Sequence, residues 1–495
     1  MKLLRVQVPE FRALKNVDIS FEPDFKPSIF PLASQNGGGK STLLQLIFSL
    51  LNCATSKERF KYFRNLFSSI YESIEEKTFA RIDILYEGDI LSIEYKFLVA
   101  SGITPKDEKK IRSLLHIRND LEESYADFLV YVYFLEKELE KETDHGRHLA
   151  NELDHRIHDS IFMRDDRFNF NTEKMIESYS ALEHFISSTS KNYQGRKTEE
   201  LKGKSSYDLF LVLKKNELKA KLISSEFEET FLRSGLSFLG QINSFDANQE
   251  NLFMGYHISG SKKYKNDCNE VLERVREKIF LTIPETQICL LTAREARQSL
   301  FDNHEDFQYK REMRKLRQNM EEVFIPSFIP TKTILKEFEK SRDEDFKNAI
   351  KTGGNYGSNY TKLVQDIKKI LVNKRIDLDP KATPPLSRIK VFLEEDDELK
   401  EIYPEDLSHG ELKQLSLYMW LRHRNIKDAV VLMDEIEIAL HPDWQYQIIK
   451  DLEEWGPTNQ YILATHSYEL CTALTPSHVK EIEPKLSTSR NHESE

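Results

Sequence analysis

Apolar residues fall along the chain in three kinds of pattern. Short unbroken apolar runs bounded by turn residues predict buried strands. Pro27–Leu32 is one, with Ile29 and Phe30 inside it; Ile389–Leu393 and Val430–Met433 are two more. Glu285–Ala293, with Ile288, Cys289, Leu290 and Leu291, reads as another. Two segments with strand-like composition, Arg81–Tyr86 and Ile90–Leu98, are joined by Glu87-Gly88-Asp89 and predict a hairpin. Leu43, Leu44, Leu46, Ile47 and Leu50 have helical spacing and predict the buried face of a helix opening near Lys40. Farther on, Leu114, Leu121, Phe128 and Leu135 recur every seventh residue, widened by Leu115, Tyr125, Val132 and Leu139. Ser124 and Glu138 interrupt the companion stripe, so a compact helical arm is expected rather than a long two-stranded coiled coil.

These patterns predict an α/β chain in two lobes. The first occupies residues 1–100 and the second 385–470, followed by a short tail, 471–495. Between them lies a mostly helical insertion, 101–384, whose Glu285–Ala293 strand returns to the head. Gly195, Gly203 and Ser205 mark a basic loop in it, and the stretch 351–360, KTGGNYGSNY, marks a second, flexible one.

Composition narrows the class. The 495 residues have room for two or three domains, and 39% hydrophobic content is enough for a core. A net charge of −11 excludes global attraction to nucleic acid, so any such contact needs local patches. The four cysteines, Cys53, Cys268, Cys289 and Cys471, are scattered without a CxxC pair. That points away from a disulfide framework or zinc site and toward a reducing cytoplasm. The first residues, MKLLRVQVPEFRALK, are too short and too charged an element for a signal peptide, and no apolar run of about 18 residues predicts a membrane span.

The predicted strand at 27–32 leads into Ser34-Gln35-Asn36-Gly37-Gly38-Gly39-Lys40-Ser41, which fits the phosphate-loop pattern G-x-x-x-x-G-K-[ST] everywhere except at Ser34. Glycines let consecutive backbone N–H groups turn inward around phosphates, and the following helix aims its positive end at them. Asn36, Gly37, Gly38, Gly39, Lys40, Ser41 and Thr42 are therefore the candidate ATP-binding residues. Lys40 would reach the β/γ-phosphates and Ser41 would ligate Mg²⁺. Much later, Val430–Met433 ends in Asp434-Glu435. A buried parallel strand with acids at its carboxyl edge presents metal ligands there. Asp434 is the second candidate ligand for Mg²⁺, and Glu435 is the candidate catalytic base that polarises the attacking water.

Flanking that strand are LSHGELKQL, 407–415, and YILATHS, 461–467. In this order the four motifs resemble the ABC-type ATPase heads of SMC, Rad50, RecF and OLD proteins. The resemblance implies that Ser408, His409, Gly410 and Glu411 form a signature facing the γ-phosphate of a partner's nucleotide, with Ser408 and Gly410 as binding residues. It implies that His466 senses the γ-phosphate as the second catalytic residue, and that Glu437–Pro442 is the D-loop. A head-to-tail dimer with two ATP at its interface follows from the same resemblance. His409 departs from the family, where a small residue stands. The family's Q-loop glutamine has no assigned position in the sequence.

Both lobes are most similar to the PtuA-type ATPases of Septu anti-phage defence, including those associated with retrons. LSHGELKQLSLYMWLRHR, DEIEIALHPDWQYQIIKDLEEW and ATHS carry that similarity. It implies a homo-oligomeric cytoplasmic ATPase that holds or frees an HNH nuclease, PtuB. In retrons a reverse transcriptase with its RNA-linked single-stranded DNA would join. The stretch after His466 predicts no Toprim nuclease domain of the OLD kind. A DNA-repair ATPase like RecF and a nucleotide-gated scaffold are the competing classes. The scaffold fits poorly with Glu435 and His466 both in place, and the acidic net charge disfavours RecF.

Weaker constellations stay open. DHGRH (144–148) and DHRIH (154–158) could bind a metal or form a polar helix face. Lys310, Arg314 and Arg317, with Arg311 and Lys315 beside them, and SKKYK (261–265) could grip phosphates or be solvated faces. Arg294 could face the nucleotide, a partner or solvent.

Overall fold

Four short, largely buried strands, flanked by two-residue strands at both edges, build the parallel sheet that positions everything else. The computed structural model describes residues 1–35, 37–53, 59–67, 78–99, 236–242, 252–260, 268–284, 287, 291–292, 297, 307–326, 331–378, 389–395, 398–403 and 406–482. In chain order the strands are β1 (Lys2–Phe11), β2 (Leu14–Ser20), β3 (Ile29–Ala33), β4 (Thr78–Tyr86), β5 (Asp89–Val99), β6 (Ser237–Ile242), β7 (Leu252–Ser259), β8 (Ile279–Thr282), β9 (Val323–Phe324), β10 (Lys374–Leu378), β11 (Ile389–Glu395), β12 (Glu398–Ile402), β13 (Val430–Asp434), β14 (Gln460–Ala464) and β15 (Lys480–Glu481). The helices are α1 (Lys40–Phe48), α2 (Phe60–Phe67), α3 (Cys268–Arg276), α4 (Phe307–Asn319), α5 (Thr331–Thr352), α6 (Asn359–Ile370), α7 (His409–His423), α8 (Pro442–Trp455) and α9 (Tyr468–Thr472).

The chain divides into two units: Met1–Glu72, Thr78–Tyr95 and Ile258–Glu495 form the first, and Ser73–Lys77 with Lys96–His257 form the second. In the second, β6 pairs antiparallel with β7.

The first unit holds the parallel sheet, in the order β15-β3-β14-β13-β8-β9. The strands pair parallel throughout it, with Val430 opposite Ile279 on one side and Gln460 on the other. β8, β13 and β14 are buried at every residue, which is why their sequences are apolar runs without alternation. Val431, Met433, Tyr461 and Leu463 pack with Leu417, Trp420 and Leu421 of α7 and with Ile448, Ile449 and Leu452 of α8. α1 packs on β8, β13 and β14 from the other face. Gln460, buried in the sheet, is satisfied by the first strand: its Nε2 donates to Leu3 O at 2.9 Å and its Oε1 accepts from Leu3 N at 2.6 Å.

A second sheet joins β2, β1, β4 and β5 in that order, with β1 antiparallel to both its neighbours. A third, β10-β11-β12, is antiparallel throughout. Ile376, Ile389 and Val391 of this sheet share a core with α5, α6 and the face of α7 carrying Leu415, Tyr418 and Met419. α7 is thus apolar on both sides, and it fills the space between two cores.

Three expectations need correction. The strand returning to the head is β8, not Glu285–Ala293; of that stretch Gln287, Leu291 and Thr292 are described, and none lies in a strand. The second lobe accordingly resumes near Ile258 rather than 385, because β8 pairs with β13 and belongs to the same unit. The stretch 351–360 is a tied turn rather than a flexible loop. α5 ends at Thr352, and Asp345 accepts hydrogen bonds from Asn359 N and Tyr360 N, both at 2.9 Å, so it caps the next helix. The heptad stripe at 114–139, Gly195, Gly203 and Ser205 lie outside the described residues. Among the described residues no helix is long and apolar enough to cross a membrane.

Candidate functional site

The carboxyl edge of the parallel sheet gathers the candidate residues. β3 ends at Ala33, and the chain turns through Ser34 and Gln35 into the glycines before α1 opens at Lys40. Asn36 lies outside the described residues. Gly39 has φ +89°, where any other residue would be strained, and a Cβ there would stand 2.6 Å from Leu14 Cδ2. A Cβ on Gly38 would overlap Ser34 Oγ. The departure at Ser34 is thus packed directly against Gly38. Its hydroxyl donates to Gln35 O at 3.0 Å, filling space that the neighbouring glycine leaves open.

Lys40 is 5% exposed. Its Nζ donates to Ser34 O at 3.0 Å and lies 3.2 Å from Ser34 Oγ and 3.4 Å from His466 Nδ1. Burial pulls the ammonium down, opposed by Glu437, Asp434 and Glu435 nearby. The lysine is therefore held by weak neutral partners among three carboxylates. Thr42 follows on the first turn of α1, half-buried.

Across the sheet edge, Ser41 Oγ donates to Asp434 Oδ1 at 2.9 Å. Asp434 is buried, and its second oxygen, Oδ2, has no hydrogen-bond partner. Burial pushes this carboxyl up to about 7; the Ser41 bond lowers it, and Glu435 and Glu437 add to the rise. An orphaned buried carboxylate oxygen beside a serine hydroxyl fits a divalent cation, which would stabilise the charged form. Among the described residues no cluster of three His, Cys, Asp or Glu side chains is arranged to hold a metal, so such an ion would draw its other ligands from water and phosphate.

Glu435 begins a tight turn. Its φ is +51°, and Ala439 in the same turn has φ +67°. These are left-handed conformations that cost non-glycine residues about 1 kcal/mol each. The turn is gripped from several sides. Glu435 N donates to Ala464 O at 2.9 Å. Glu437 Oε1 accepts from His466 N at 2.7 Å, while its Oε2 is buried without a partner. Lys413 Nζ donates to Glu435 O at 2.8 Å and to Ile438 O at 3.0 Å. Burial draws Lys413 down to about 8 against the pull of Glu437, Glu435 and Asp434. The side chain of His466 is exposed at the end of β14, and Ser467 caps α9 by accepting from Leu470 N.

Ser408 caps α7 in a reciprocal box: its Oγ accepts from Glu411 N at 3.3 Å, and Glu411 Oε2 accepts from Ser408 N at 2.9 Å. Glu411 Oε1 in turn meets Lys374 Nζ at 2.6 Å, with the carboxylate side chain 5% exposed. Hydrogen bonds from Lys374 and Ser408 outweigh burial and hold the Glu411 carboxyl below its ordinary value, although burial is the largest single influence. Gly410 packs under the turn at Ala439: a Cβ would come within 2.8 Å of Trp444 Cζ3 and 2.9 Å of Ala439 O. His409 is exposed on the first turn. The turn closes at His441, whose Nδ1 accepts from Asp443 N to cap α8, with Pro442 at its first position.

The structure thus brings Lys40, Ser41, Asp434, Glu435 and His466 to one edge and seats Ser408 and Gly410 at the start of α7. Two nearby residues had no role assigned to them from the sequence. Lys413 stands three positions after Gly410 and so shares its helix face, a signal that was available. Lys374 had no signal, since its partner is set by tertiary pairing.

Other candidates are not joined to the site. In α4, Lys315 pairs with Glu312 at 3.3 Å, Lys310 and Arg317 also have partners, and Met313 and Leu316 are buried. That is the amphipathic arrangement of an ordinary surface helix. The histidines of 144–158, SKKYK at 261–265 and Arg294 lie outside the described residues.

Residues 1–471 match a family model described as an AAA ATPase domain, AAA_15. A protein of Vibrio cholerae serotype O1 biovar El Tor described as "Retron Vc95 probable ATPase" is 29% identical over 131 residues, 24% of this chain and 23% of that protein. An Escherichia coli protein described as "Retron Ec83 probable ATPase" is 40% identical over 51 residues, 10% of this chain and 9% of that protein. The alignments thus span less than a quarter of either relative's length. Among solved structures, an Smc head domain from Pyrococcus furiosus is 12% identical with a TM-score of 0.29, covering 95% of this chain and 91% of that one. One from Pyrococcus yayanosii is 14% identical with a TM-score of 0.31, covering 95% and 93%.

Proposed function

The chain belongs to the AAA ATPase domain family, and from that premise we propose that it is the ATP-hydrolysing subunit of a bacterial anti-phage defence assembly of the Septu or retron type. The observation that carries the catalytic half is the pairing of Ser41 with Asp434 beside Lys40 and His466. The similarity to two retron ATPases supports the defence half.

Each residue at the edge takes one part of the chemistry. The loop of Gly37, Gly38 and Gly39 cradles phosphates with its backbone N–H groups, and Lys40 exchanges its neutral contacts with Ser34 for phosphate oxygens. Ser41 and Asp434 would hold Mg²⁺, which would offset negative charge on the phosphates. Glu435 accepts a proton from the attacking water, and His466 donates a hydrogen bond to the γ-phosphate from its exposed position. In a head-to-tail dimer Ser408 and Gly410 close on the partner's nucleotide, so ATP joins the two copies and hydrolysis releases them.

In this reading the head comprises both lobes, the assembly is cytoplasmic, and nucleotide state holds or frees an HNH nuclease of the PtuB kind. In a retron a reverse transcriptase with its RNA-linked single-stranded DNA joins the complex. The test pairs Lys40→Ala and Glu435→Gln in the native host. Both variants should lose ATP turnover and phage protection while unstressed cells grow normally. Glu435→Gln alone should accumulate an ATP-bound dimer visible by native mass spectrometry, and complexes from the host should carry a second, smaller protein. Full phage resistance in the Lys40→Ala strain would sink the defence reading, and unchanged turnover in Glu435→Gln would sink the catalytic one.

A further inference from the structure

The signature helix and the turn that carries the catalytic carboxylate are joined within one chain at two points, a lysine side chain and a closely packed glycine. Lys413 reaches from the second turn of α7 to two backbone carbonyls, Glu435 O at 2.8 Å and Ile438 O at 3.0 Å. Those carbonyls belong to a turn that needs support, because Glu435 and Ala439 both hold positive φ. Gly410, one helical turn before Lys413, lies under the same turn against Ala439 O and Trp444. Two contacts one helical turn apart make α7 and residues 435–440 move as one piece.

We propose that Lys413 is a positioning residue that couples the seating of the signature on one nucleotide to the alignment of Glu435 over the other. This rests on the head-to-tail arrangement proposed above. In that arrangement Ser408 and Gly410 of one chain meet the partner's nucleotide, while Glu435 of the same chain serves its own. A shift of α7 on closing reaches Glu435 through its carbonyl, so the carboxylate moves with the signature. The clamp is a link between two nucleotide sites, which is the physical content of cooperativity. An ammonium is well matched to this position. It is a compact donor with three hydrogens on a flexible stem, and it bonds both Glu435 O, which also accepts from Ile438 N at 3.2 Å, and Ile438 O. Glu437 adds a parallel tie on the same turn, from its Oε1 to His466 N at 2.7 Å, so the γ-phosphate sensor is drawn into the same rigid piece.

The test uses the full chain with Lys413→Met, which keeps the apolar stem without donors, and Lys413→Arg, which restores donors. ATP binding is measured with a fluorescent nucleotide, turnover over a range of ATP concentrations, and amide hydrogen exchange by mass spectrometry. Lys413→Met should bind ATP within about threefold of wild type yet lose about 10²-fold in kcat, with KM nearly unchanged. A Hill coefficient above one in the wild type should fall to about one. Exchange at Ile438 and Leu440 should accelerate while that of β13 and β14 stays slow. Lys413→Arg should recover part of both. Wild-type kcat and cooperativity in Lys413→Met would overturn the proposal. The exchange readout is independent of turnover. If the wild type hydrolyses no ATP, the reading of the site fails, whereas unchanged exchange at Ile438 and Leu440 in Lys413→Met overturns the clamp itself.

Discussion

Ser41 and Asp434, separated by 393 positions in the chain, share a 2.9 Å hydrogen bond between the first turn of α1 and the end of β13. The bond exists because β3 and β13 flank β14 in one parallel sheet, so both strands deliver their exits to the same edge. Asp434→Asn keeps the shape and the hydrogen bond but removes the charge an ion needs. Turnover should fall on the order of 10²-fold or more, and higher magnesium should not restore it. The thermal midpoint of the metal-free protein should hold or rise, since the buried carboxyl is otherwise costly to ionise. Magnesium should stabilise the wild type and not the variant in a melting experiment.

The half-buried ammonium of Lys413 gives a pH signature of its own. Its folded value of about 8 lies below the ordinary 10.5, chiefly through burial, with Glu437, Glu435 and Asp434 opposing the fall. The folded chain therefore gives up this proton before the unfolded chain does. Between pH 8 and about 10 the unfolded state binds more protons, so stability rises with pH over that window. Denaturant midpoints of wild type and Lys413→Met should diverge there, with the wild type gaining relative to the variant, and run parallel below pH 7.

Ser34 and Gly38 should behave as one unit. Gly38→Ala places a methyl group on Ser34 Oγ and should weaken ATP binding at least tenfold, about 1.4 kcal/mol. Ser34→Gly on its own should bind ATP comparably to wild type. The double variant should recover part of the loss, since Gln35 O remains within 2.9 Å of the added carbon. Additive effects in a double-mutant cycle would mean the two residues do not share that space.

Legibility in the sequence followed how local each signal was. The phosphate loop, β13 and the opening of α7 were readable because a glycine run, an apolar run ending in acids, and a serine three residues before Glu411 each specify their own geometry. β8 was missed because three apolar residues and a threonine after a charged helix do not announce a strand; only pairing with β13 makes them one. The stretch at 351–360 looked flexible because Gly353, Gly354 and Gly357 are visible in sequence, whereas Asp345, which ties the next helix, is distant from them in the pattern. Lys374 was invisible for the same reason: its carboxylate partner lies on another element.

The Lys374–Glu411 pair also bears on stability. Glu411 is almost wholly buried, and Lys374, 19% exposed, is its charged partner at 2.6 Å. Removing the lysine leaves a carboxylate that still accepts from Ser408 N but has lost its counter-ion. A buried pair broken on one side costs about 3–5 kcal/mol, reduced here to roughly 2 because the lysine is partly solvated. Lys374→Met should lower stability by about that amount. The Glu411 carboxyl, now held below its ordinary value, should rise, so the loss should be smaller at pH 4 than at pH 8. Lys374→Met with Glu411→Gln removes the uncompensated charge and should regain part of the stability while keeping a neutral capping box. Because Glu411 fixes Ser408, the single variant should also weaken nucleotide-dependent dimerisation more than nucleotide binding. Analytical ultracentrifugation with and without ATP, set beside a binding titration, separates the two.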